Sequence, residues 1–248
     1  MLDLHYLWLV CPLVALGAFT QGFTGLGFGI VILAGVAFIP WDFERSTVVV
    51  NLLVLVLHGS VIWASRKDAR IQWRLVVLIL LGLSVGVPLG YWFILVFGKQ
   101  PVFQLVFGAT LAGFAANELI KPRIKALPRS FGLPAGILGG FLGGAFTTSG
   151  PPIAIFLYSQ HREPAVLKGT LQFVFMIATL WRLMNIVLFG PGITRPVLEV
   201  TLICLLVVFV FASIGHRTSR NVSSETFLKL VYALIAGAGV ANIFRAFI

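Results

Sequence analysis

Charge is what this 248-residue chain has least of: 10% of its residues are Asp, Glu, Lys or Arg, against 59% apolar. A soluble domain carries roughly 25% charged and 45–50% apolar residues. With a mean hydropathy of +1.02, the composition excludes a water-soluble globule, and equally a disordered chain, which needs low hydrophobicity. Acidic groups are the scarcest, eight in all. Inside apolar stretches Glu118 and Glu199 occur, both close to an end, and Glu225 opens the last stretch. No acidic or His/Cys constellation is available to a metal, so no metal or other cofactor is expected. The two cysteines, Cys11 and Cys204, sit alone in apolar runs and give no disulfide framework. No Lys or Arg precedes Arg45, so the N-terminus lacks the basic region of a cleavable signal peptide.

What is present is apolar sequence in membrane-sized pieces. Ten stretches run over about 4–21, 28–40, 46–65, 74–97, 102–120, 131–147, 151–160, 165–190, 196–215 and 225–247. A spanning helix needs about 20 apolar residues, so the third to fifth and the eighth to tenth are long enough to span alone. The gaps are short, which predicts one transmembrane domain over 1–248 without a linker. The net charge of +10 is not gathered into a basic face, so nucleic acid is excluded as a partner and the lipid bilayer takes its place. Thirteen Lys and Arg fall in the gaps 66–74, 121–129 and 161–168 and around 216–229; Arg45, Lys99, Arg195 and Arg245 fall on the other side. Basic residues stay in the cytoplasm, so both termini are predicted outside it.

The order of pieces repeats: a helix, a Gly-rich break, a short helix, three long helices. Gly22-Phe23-Thr24-Gly25 aligns with Gly140-Phe141-Leu142-Gly143. Phe103, Val106, Leu111 and Gly113 align with Phe227, Leu230, Ile235 and Gly237 at a constant offset. The predicted fold is an all-α polytopic membrane protein of two five-segment repeats, about 4–120 and 131–247. A Gly-rich broken helix or re-entrant hairpin opens each. Five segments per repeat is an odd number, so the second copy is inverted, as in many secondary transporters.

The breaks are the first candidate site. One reads Gln21-Gly22-Phe23-Thr24-Gly25-Leu26-Gly27-Phe28-Gly29; the other carries Thr147-Thr148-Ser149-Gly150-Pro151-Pro152. Glycines let backbone approach a ligand, Pro151 and Pro152 suit the first turn of a helix, and Ser149 or Thr148 can cap it. Helix N-termini there would favour an anion. Close helix packing is the other reading of each glycine. A polar stripe is the second candidate. Thr47, Asn51 and His58 share one helical face, Gln172, Thr179 and Arg182 another. Arg182 either snorkels to the interface or offers a planar cation to a sulfonate, sulfite or carboxylate. His58 is either a structural histidine or a proton carrier; Glu199 and Glu118 are the other proton-coupling candidates. The site is expected to draw on both breaks, Asn51, Gln172 and Arg182.

On the two Gly-rich motifs, Gln21 to Gly29 and Gly139-Gly140-Phe141-Leu142-Gly143-Gly144, the sequence resembles the sulfite exporter TauE/SafE family of membrane permeases. Length and duplicated layout extend the resemblance over almost the whole chain. It implies a bacterial cytoplasmic (inner) membrane protein that moves small sulfur-containing or carboxylated anions, and export is the expected direction. The second motif departs from the glycine-rich pattern at Phe146-Thr147-Thr148-Ser149. Two other functions share these residues. A passive anion channel would use the same site. An intramembrane hydrolase would take Ser149 as nucleophile and His58 or His161 as base, but no third group orients the histidine. Self-association as a homo-oligomer stays open.

Overall fold

The computed structural model describes residues 4–24, 27–39, 41–65, 70–120, 126–160, 163–218 and 225–247. Regular structure among them is helical throughout: α1 Leu7–Thr24, α2 Phe28–Val36, α3 Phe43–Ser65, α4 Trp73–Phe97, α5 Pro101–Ile120, α6 Gly132–Phe146, α7 Gly150–Ser159, α8 Pro164–Phe189, α9 Arg195–Thr218 and α10 Glu225–Arg245. Two short 3-10 turns, Leu4–Tyr6 and Arg129–Phe131, precede α1 and α6. The ten helices fall on the ten apolar stretches. Among the described residues, four are long and apolar enough to cross a membrane: 43–63, 73–97, 169–189 and 195–218. In α5 and α10, expected to span alone, the described apolar stretches are shorter, Pro101–Asn117 and Val231–Arg245.

The outer surface shows why this is a membrane protein. On α9 the buried residues Val197, Val200, Thr201, Cys204 and Val208 form one stripe, yet the other face exposes Leu198, Leu202, Leu206 and Val210. Leu206 is 73% exposed. A soluble helix would put polar side chains there; an apolar outer face suits lipid.

The chain forms two compact units, each drawn from both halves of the sequence. The first comprises Met1–Leu53, Ile94–Pro122 and Ile193–Ile248. In it α1 and α2 fold back on each other: Gly17 leaves room for Ile32, and Gly35 for Leu13. The break is therefore an antiparallel hairpin. At nine residues, α2 rises about 14 Å, half of the roughly 30 Å hydrocarbon core. Gly22 and Gly215 bring α1 against α9, where a Cβ on either would meet the backbone of Ala212 or Phe19. Helices α5 and α10 run antiparallel: Gly108 packs on Gly239 and Ile243, Gly239 on Ala112, and Phe114 on Tyr232 at 5.9 Å between rings.

The second unit comprises Val54–Phe93 and Arg123–Gly192. Here α4 and α6 meet backbone to backbone and run parallel. Gly82, Gly86 and Gly90 recur every fourth residue on α4 and face Gly136, Gly140 and Gly144 on α6. A Cβ on Gly140 would lie 3.0 Å from the Gly86 Cα. Such small-residue stripes let helices approach closely in lipid. The second break is also an antiparallel hairpin, with Gly143 against Ser149, Gly139 against Ile153 and Gly132 against Phe156. Helix α8 joins them through Trp73 on Phe173, rings 5.3 Å apart, and through Thr170 Oγ1, which accepts from the Gln72 amide at 3.1 Å.

Candidate functional site

At the first hairpin, α1 ends at Thr24 and α2 begins after Gly27, whose φ of +102° suits glycine. The side chain of Gln21, 8% exposed, turns back across the break, and its Oε1 accepts the Phe28 amide hydrogen at 3.2 Å. Gln21 thus satisfies an orphan donor at the α2 N-terminus, a place the sequence reading reserved for an anion. Gly22 packs against α9, and Gly29 is buried within α2. Gly25 lies outside the described residues, as does the side chain of Thr24. Asn51 is completely buried, also in this unit.

The second hairpin is built differently. Helix α6 stops because Thr147 takes a left-handed conformation (φ 53°, ψ 33°), with its amide donating to Gly143 O at 3.0 Å. This is the αL helix stop, a position usually given to glycine. A β-branched residue there is an outlier. The Thr147 Oγ1 is buried and has no hydrogen-bond partner. Ser149 stands at the N-cap of α7 but makes no capping bond. Its hydroxyl lies against Gly143 instead, where a Cβ would collide with it. Pro151 and Pro152 occupy the first turn of α7 after Gly150. Lacking N–H groups, they remove two of the donors that the expected anion site would have used.

Arg182 comes to this hairpin from α8. It is 1% exposed, so its guanidinium is inside the protein and not snorkelled to an interface. Its Nε–H donates to Gly144 O at 2.8 Å, in the last turn of α6, and its Cζ lies 5.7 Å from the centre of the Tyr91 ring. A cation at a helix C-terminus is favoured by the helix dipole, and the ring face adds a cation–π attraction. Tyr91 is itself 1% exposed, with its hydroxyl packed against Gly190 at the end of α8. Sequence reasoning missed Tyr91. The signal was its place directly after Gly90, the last glycine of the α4 stripe.

Further along α8, Gln172 Oε1 accepts from His58 Nδ1 at 2.8 Å, with the His58 ring 5.7 Å from Phe175. An amide oxygen only accepts, so Nδ1 carries the hydrogen and a neutral His58 keeps its lone pair on Nε2. Thr179 spends its hydroxyl hydrogen on Phe175 O. Of the polar stripe, then, His58 and Gln172 meet, and Arg182 meets the second break. Asn185, 4% exposed with its Nδ2 on Trp181 O, extends the polar row and was not anticipated. Glu199 pairs with Arg195 one turn away on α9, at 2.8 Å and largely in the open. Glu118 lies near the end of α5 with its side chain outside the described residues, and His161 is outside them altogether. No group of three His, Cys, Asp or Glu that could hold a metal occurs among the described residues.

Residues 10–242 match the sulfite exporter TauE/SafE family. The chain belongs to that family. One relative is the probable sulfite/organosulfonate exporter TauE of Cupriavidus necator, 25% identical over 92% of this chain and 90% of its own. Another is the probable inner membrane transporter protein TsaS of Comamonas testosteroni, 26% identical over 77% of this chain and 80% of its own. No solved structure matches the chain. Family membership and the apolar helices together make this an integral membrane protein of a transporter family.

Proposed function

We propose that the chain is a secondary transporter that exports a small anion, namely sulfite, an organosulfonate or a related carboxylate, across the cytoplasmic membrane by alternating access. The observation that carries this reading is Arg182, a buried cation fixed at the break between α6 and α7. Ionisable groups at membrane depth mark substrate paths, and a guanidinium suits planar, multi-oxygen anions. The relative from Cupriavidus necator, named as a probable sulfite/organosulfonate exporter, supports the sulfur-containing members of that class. Within one transmembrane domain, an inverted repeat is supported by α5 and α10, equivalent helices that run antiparallel. Their aligned residues also agree: Leu111 and Ile235 are buried, and Gly113 and Gly237 have open space beside them.

Reconstitution tests the reading. Labelled sulfite or methanesulfonate is loaded into proteoliposomes, and counterflow against unlabelled anion is measured. A carrier gives saturable counterflow. Flux without saturation or exchange would show a channel, and no flux with any of these anions would remove the proposal.

A further inference from the structure

Among the described residues, Thr147 is the one non-glycine residue with a positive φ. It is also one of few whose buried side-chain oxygen has no hydrogen-bond partner. Two unfavourable features therefore coincide on one residue. Glycine would stop α6 with neither the backbone strain nor the buried hydroxyl. Strain of this kind gathers at ligand sites, and an unpaired buried hydroxyl calls for an explanation. Three residues before Thr147 is Gly144, whose carbonyl holds Arg182. The unsatisfied donor thus lies one helical turn from the carbonyl that holds the buried cation.

We propose that the Thr147 hydroxyl donates a hydrogen bond to an oxygen of the transported anion, and that the left-handed backbone at Thr147 is kept because it holds that hydroxyl at the break. The inference rests on the anion-transport reading and adds what the ligand must present: an oxygen that accepts a hydrogen bond beside the charge that meets Arg182. It assigns Arg182 to charge and Thr147 to the recognition of oxygen. No covalent step is involved.

Three substitutions separate the hydroxyl from the backbone. Thr147→Gly removes the strain and the hydroxyl, Thr147→Val keeps the β-branched shape without the hydroxyl, and Thr147→Ser keeps the hydroxyl. Purified wild type and variants are compared by melting temperature without ligand and by Kd for sulfite and methanesulfonate. Thr147→Gly is expected to melt higher than wild type yet bind about tenfold more weakly, as expected for a lost hydrogen bond to a charged group. Thr147→Val is expected to bind as weakly without the gain in melting temperature, and Thr147→Ser to bind within about threefold of wild type. Wild-type affinity in both Thr147→Gly and Thr147→Val overturns the inference alone. If wild type itself binds neither anion, the transport reading fails and takes this inference with it.

Discussion

Replacing Arg182 with lysine keeps a unit charge but removes the Nε–H that reaches Gly144 O, and an ammonium lacks the planar fork that matches an anion in two places. Arg182→Lys is therefore expected to raise Kd for sulfite or methanesulfonate at least about tenfold, and Arg182→Ala to abolish measurable binding. Alanine also leaves the Gly144 carbonyl without its partner, at a cost of about 1–3 kcal/mol, so the variant should melt lower as well. Unchanged Kd in both would reduce Arg182 to a strut between α8 and α6. At the first hairpin the corresponding test is Gln21→Leu. It leaves the Phe28 amide uncapped and should cost about 1 kcal/mol in thermal stability. A larger loss of transport than of stability would mean that Gln21 also handles substrate.

Glycine does different work on different helices, and the structure tells the cases apart. Gly86 and Gly140 sit where α4 and α6 touch through their backbones, whereas Gly113 and Gly237 have nothing within 4 Å of an added Cβ. Gly86→Leu is expected to yield no folded protein, because the Ile137 carbonyl occupies the position of its Cβ. Gly113→Ala and Gly237→Ala should instead raise the melting temperature, each gaining about 0.5–1 kcal/mol from lower unfolded-chain entropy. Melting in detergent would check all three, and equal losses throughout would contradict the packing described. The sequence shows ten helices and two breaks because apolar length and glycine clusters are properties of neighbouring residues. Which side chains meet across helices is not such a property. His58 and Gln172 are 114 residues apart, and their contact depends on how α3 and α8 face each other. Tyr91 beneath Arg182 is hidden for the same reason. So is the strain at Thr147, since no spacing rule marks a threonine that must adopt φ of 53°.

An anion leaving a negative cytoplasm gains about 2.3 kcal/mol per charge per 100 mV. Export therefore needs no coupling ion, whereas accumulation inside would require a co-transported cation. Groups fit to carry that cation's charge are few. Glu199 is engaged with Arg195 on an exposed face, which leaves His58, hydrogen-bonded to Gln172 in the interior, as the described candidate for a proton. The basic residues assigned to the cytoplasmic side, thirteen against four, set the expected orientation. A cysteine placed at position 125 should resist an impermeant thiol reagent applied outside intact cells, and labelling there would reverse the topology. With orientation fixed, an inside-negative potential imposed on proteoliposomes without a pH gradient is expected to drive net efflux of methanesulfonate. Efflux should scale with the potential and vanish when it is collapsed. If efflux ignores the potential and follows an imposed pH gradient instead, the uncoupled mechanism is wrong. His58→Ala then becomes the deciding variant: retained binding with lost pH dependence would identify that imidazole as the proton carrier, and the Gln172 contact as what holds its tautomer.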